Sequence, residues 1–130
     1  MNETDKKNDE TAVGSFVGLT LQTRVLLTRD DPAHPFTMGR GVAELLHGVR
    51  EFGSLNQAAK ELNMAYSKAW TLMRTMEASF GAPLLSRDGA HGSSLTADGE
   101  RLLKLYDGAD AAVSEYARKA LPEDMGETDA

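Results

Sequence analysis

In the stretch SLNQAAKELNMAYSKAWTLMRTM, Ser54–Met76, short polar and basic side chains gather just after a tight corner. Ser67, Lys68 and Thr71 share one helical face, with Tyr66 just ahead and Arg74 a turn beyond. Hydroxyls both donate and accept hydrogen bonds, while ammonium and guanidinium groups attract anions. Presented together at a helix start, such groups can read base edges and neutralise phosphates. Further along, Arg87, His91 and Ser93 flank a glycine-bearing turn, from which they would reach phosphate or a minor groove. The expected division puts Arg87 on phosphate and Ser67, Lys68 and Thr71 in the major groove.

Other chemistries find fewer groups. The chain has no cysteine, which excludes disulfides, thiolate metal sites and a cysteine nucleophile. His34, His47 and His91 are scattered without i, i+4 pairing, so neither a metal nor a cofactor is expected. No Ser/His/Asp arrangement stands out, Glu123 and Asp124 lie in a polar tail, and the chain reads as a non-enzyme. Gly39-Arg40-Gly41 precedes a helical pattern but lacks phosphate-loop spacing, so it reads as a turn and helix start. Plainer readings stand beside the sharp ones. Lys68 also fits a solvated helix position, and Arg74 and Arg87 also fit local ion pairs. Trp70 is expected to pack, given the area its side chain buries. Met64, Met73 and Met76 fall at core spacing.

Three apolar repeats position these groups. Val42, Leu45, Leu46 and Val49 recur at i, i+3, i+4, i+7, as do Leu55, Ala58, Ala59 and Leu62. Ala69, Leu72, Met73, Met76 and Phe80 give the pattern again. Gly53 stops the first helix, Ser54 caps the second, and Gly81 closes the third. Asn63 stands at the joint, where a left-handed residue is wanted. Before the helices, FVGLTLQTRVLL alternates enough to predict a strand over Phe16–Leu27, RDDPAHP reads as a loop, and FTMG as a short pairing strand. After them, Leu84–Arg87 and Ser94–Thr96 predict a hairpin, with Asp88-Gly89 and His91-Gly92 as its turn. Thr96 or Asp98 then caps a long helix carrying an apolar stripe.

The net charge of −6 argues against a nucleic-acid partner until it is divided. Residues 1–13 carry two basic and four acidic groups, and residues 107–130 carry two and seven. Residues 38–106 carry eight basic against seven acidic, so the deficit sits at the ends. Residues 1–13 and 122–130 are expected to be disordered acidic tails around one domain, 14–121. No apolar run approaches the ~20 residues of a membrane span, and no signal peptide is visible, so a cytoplasmic location is expected.

Strand, three helices, hairpin and helix, with a tight joint between the second and third helices, describe a winged helix–turn–helix. The expected class is mainly α with small β (α+β), with an N-terminal strand and a long C-terminal dimerisation helix. Three helices and a hairpin should already close a core. The stripe Leu102, Leu105, Tyr106, Ala109, Val113 and Tyr116 is therefore expected to pair in a homodimer, matching half-sites ~34–36 Å apart. GSLNQAAKELNMAYSKAW, FGAPLLSRDG and LTADGERLL resemble the LysR-type helix–turn–helix. AYSKAW, LTLQTRVLL and LTADGERLLKLY resemble the N-terminal domain of ModE-type molybdate-responsive regulators, over about residues 16–120. The resemblance implies a dimeric domain on double-stranded DNA, with the recognition helix starting at Tyr66, Ser67 and Lys68 and a wing at Asp88–Ser94. Ala65 departs from the serine cap usual in the family, at a cost of ~1 kcal/mol, and the wing carries fewer glycines. The chain ends where the family's molybdate-binding domains would begin, so the expectation is a transcriptional regulator without its own ligand-sensing domain. The competing expectation is a protein-interaction module that does not read DNA.

Overall fold

The computed structural model describes residues 14–87 and 92–121. The expected disordered tails, 1–13 and 122–130, and the hairpin tip with His91 lie outside the described residues. The described residues divide into two units, 24–113 and the stretches 14–23 with 114–121.

In the larger unit, β1 (Leu27–Arg29) pairs antiparallel with β2 (Phe36–Met38), Thr28 opposite Thr37. Helices α1 (Arg40–Phe52), α2 (Leu55–Glu61) and α3 (Tyr66–Phe80) follow. A hairpin of β3 (Leu85–Arg87) and β4 (Ser93–Leu95) leads into α4 (Ala97–Ala120), whose residues up to Val113 belong to this unit. The strand predicted over Phe16–Leu27 is cut short: of those residues, Leu27 alone enters a ladder. Its partner offers three residues before α1 begins, so the upstream chain has nothing to pair with.

The helical spacings hold. Val42, Leu45, Leu46 and Val49 of α1 are buried, with Ala58 and Ala59 of α2 and Ala69, Met73 and Met76 of α3. Met64 is half-buried against the same cluster. Removing one leucine side chain from water contributes roughly 1.5–3 kcal/mol, and Leu45, Leu46, Leu84 and Leu103 are all fully buried. Helix ends follow local chemistry. Gly53 and Gly81 are left-handed caps, and the Ser54 hydroxyl accepts the Gln57 N–H at 3.1 Å. Thr96 Oγ1 accepts the Gly99 N–H at 3.0 Å to start α4.

The expected pairing stripe on α4 separates into two sets. Leu102 and Tyr106 join Leu103 in the core, which corrects their placement on a dimer face. Three helices and a hairpin do not close the core alone; α4 completes it. Leu105 and Val113, 58% and 42% exposed, stay outside with the half-buried Ala109.

In the smaller unit, the Ser15 hydroxyl accepts the Val17 N–H, and the Thr23 and Ser114 hydroxyls lie 3.4 Å apart. Glu115 pairs with Arg118 and with Lys119, the exposed Tyr116 sits beside them in sequence, and Ala117 is buried. Among the described residues no helix is long and apolar enough to cross a membrane.

Helices α1 and α2 approach closely at Gly48, where an added Cβ would stand 2.5 Å from the Ala58 Cβ. Gly48→Ala therefore forces two backbones apart. It is expected to destabilise the domain by about 1–3 kcal/mol, read as a lower urea midpoint with an unchanged slope.

Candidate nucleic-acid interface

The corner between α2 and α3 is made by backbone hydrogen bonds. Asn63 takes φ 54°, and the Met64 N–H returns to the Ala59 carbonyl at 2.9 Å. This six-to-one bond satisfies a carbonyl at the end of α2 and turns the chain at once. Helix α3 begins at Tyr66 with no side-chain cap, since Ala65 has none to offer. Its inner positions are Ala69, Met73 and Met76, which leaves Tyr66, Ser67, Lys68, Thr71 and Arg74 exposed on the other side.

Two devices set this helix and the hairpin. At the far end of α3, the Arg29 guanidinium donates to the Ser79 and Phe80 carbonyls at 3.0 and 3.2 Å. In the same last turn, Glu77 Oε2 accepts the Leu84 and Leu85 N–H groups at 2.8 and 3.0 Å, so the carboxylate holds the entry to β3. The returning strand is tied to the α1–α2 corner by the Ser93 N–H donating to the Gly53 carbonyl at 2.8 Å. Gly92, at φ 116°, lies so close to that carbonyl that a Cβ would stand 2.1 Å from it.

These bonds leave an open concavity of about 640 Å³ between α3 and the hairpin. Of the predicted residues, Tyr66, Arg74, Arg87 and Ser93 line it, and Arg87 faces Ser93 across the ladder. Ser67, Lys68 and Thr71 are exposed on α3 but do not line it. His91 lies outside the described residues.

Trp70 departs from expectation. It is 37% exposed and lines the concavity, with the Arg74 guanidinium 5.2 Å from its ring centroid. The reason is angular: Ala69 holds the inward position, and the next residue turns by about 100°. The spacing Tyr66, Trp70, Arg74 on the polar face was the available signal. Glu77, Ser54 and Asn56, also at the concavity, were not singled out as site residues.

The cations fall into two groups. Arg50 is hydrogen-bonded to Glu100, which raises its pKa above the ordinary value, and Arg118 and Lys119 share Glu115. Lys68, Arg74 and Arg87 make no ion pair with a carboxylate among the described residues. No group of three potential metal-ligating His, Asp or Glu residues occurs among the described residues.

The architecture is a winged helix–turn–helix. Residues 43–100 match the family model described as bacterial regulatory helix-turn-helix protein, lysR family. The chain is similar to the transcriptional regulator ModE of Haemophilus influenzae, 40% identical over 67 residues, covering 48% of this chain and 26% of that protein. It is similar to ModE of Yersinia pestis, 34% identical over 91 residues, covering 67% of this chain and 34% of that protein. The chain thus spans about a third or less of the length of these curated relatives. The crystal structure of the CbnR_DBD–DNA complex aligns with a TM-score of 0.50 and 26% identity, over 62% of this chain and 97% of that one.

Because α3 starts uncapped, Ala65→Ser should return an oxygen to its first turn. Stability is expected to rise by about 1 kcal/mol in urea denaturation.

Proposed function

We propose that this chain is a sequence-specific DNA-binding domain of a transcriptional regulator. It docks the start of α3 in the major groove and the hairpin against the flanking backbone. The observation that carries the reading is the exposed α3 face, where Ser67, Lys68, Thr71 and Arg74 point away from the core with no carboxylate partner among the described residues. Recognition helices read bases mainly from their N-terminal residues, which fits Ser67, Lys68 and Thr71. Arg87 and Ser93 stand on the hairpin, where phosphate contacts would fix register. The LysR-type match, the ModE relatives and the likeness to a DNA complex all support the reading.

The active unit is a homodimer in the cytoplasm, joined through the outer face of α4. With Leu102 and Tyr106 in the core, the face narrows to Leu105, Ala109 and Val113, with Tyr116 farther along the helix. Such an isologous contact places two α3 helices on half-sites related by a two-fold axis. The role is non-catalytic.

Fluorescence anisotropy with labelled genomic fragments, across a range of salt, tests this. Lys68→Ala should reduce the slope of log affinity against log salt by about 1 if Lys68 meets phosphate. Thr71→Ala should relax preference at one base position by about 1–3 kcal/mol. Affinity unchanged in both variants, or no binding at low salt, would refute the assignment in favour of a protein-docking role.

A further inference from the structure

We propose that Trp70 is a stacking platform that holds Arg74 in place for one phosphodiester of the duplex; this rests on the DNA-binding reading above. Trp70 is a large apolar side chain left on an exposed face, one turn after Tyr66 and one turn before Arg74. The Arg74 guanidinium lies 5.2 Å from the indole centroid, within cation–π range. Stacking restrains a side chain that otherwise loses rotamer freedom on binding, and it leaves the edge of the guanidinium free to donate.

The surroundings favour an anion. Arg74 and Arg87 both line the concavity. The one carboxylate among its described lining residues, Glu77, is already engaged by the Leu84 and Leu85 N–H groups. Arg74 also lies eight residues beyond the helix start at Tyr66, about 12 Å along the axis. With base-reading residues at the front of the helix, a group that far back meets the groove wall, where the sugar–phosphate chain runs. Planar guanidinium donors suit paired phosphate oxygens.

A double-mutant cycle separates positioning from direct contact. Binding of a labelled duplex is measured by anisotropy against salt for the wild type, Trp70→Ala, Arg74→Ala and the double variant, with urea melts to verify folding. Trp70→Ala is expected to weaken binding roughly three- to tenfold and to lower the salt slope, while Trp70→Phe retains most of both. In the Arg74→Ala background, Trp70→Ala should then change affinity by less than about twofold. The same fold loss in both backgrounds would overturn the positioning role.

Trp70 is the single tryptophan of the chain, so its emission reports on this place alone. Duplex binding should shift the emission and reduce acrylamide quenching. A complex seen by anisotropy with unchanged emission and quenching would overturn the proposal while leaving the DNA-binding reading intact. No complex at any salt would overturn both.

Discussion

Helices α1 and α2 meet with almost nothing between them at Gly48 and Ala58, and the presentation of α3 depends on that contact. A close crossing needs residues without bulk, and Ala59 and Ala69 continue the same rule. The short α2 then has no room to wander, and the corner at Asn63 can be tight. A left-handed non-glycine residue costs roughly 1–2 kcal/mol, offset here by the backbone bond closed from Met64 to Ala59. The energetic logic is local cost against global packing. The strained residue lies outside the core, and the packing that repays it lies within.

The hairpin follows a different rule. Its strands are three residues each, too short to hold together independently. Polar bonds fix it at both ends, through the Glu77 carboxylate, the Gly53 carbonyl and the Thr96 hydroxyl, which donates to the Pro83 carbonyl at 2.8 Å. Its stance relative to α3 therefore comes from hydrogen-bond geometry more than from apolar burial, although Leu85 and Leu95 do lean on the core. A carboxylate that accepts two backbone N–H groups is a directional clamp, whereas apolar contact tolerates sliding.

Much of this was legible in the residues. Periodicity located α1, α2 and α3, and the capping chemistry of Gly53, Ser54, Asn63 and Gly81 located their ends, because these signals act within one turn. The hairpin strands came within a residue of their observed bounds. Phe16–Leu26 misled because alternation reports a willingness to form a strand, whereas a ladder needs a partner of matching length. Leu102 and Tyr106 misled for a related reason: a stripe shows that a helix covers something apolar, without saying whether that is its own domain or a second copy. The size of Trp70 suggests packing, and its place on the helical wheel, one position past the buried Ala69, decides otherwise. Glu77 carries no sequence signal of its clamp, since its partners are backbone groups. The direct contacts of Ser67, Lys68, Thr71, Arg87 and Ser93 with DNA stand as proposals.

Arg29 has a longer reach than its position in β1 would indicate. It grips the Ser79 and Phe80 carbonyls from 50 and 51 residues upstream, and its guanidinium lies 5.6 Å from the Phe36 ring, which itself stands edge-on to Phe80. The back of α3 is thereby clasped by a segment that never approaches the front. The exposed side chains of α3, Tyr66, Ser67, Lys68, Thr71 and Arg74, can be exchanged while the back of the helix stays held from elsewhere. What holds the helix and what its front presents lie in separate parts of the chain, so a change at one need not unseat the other.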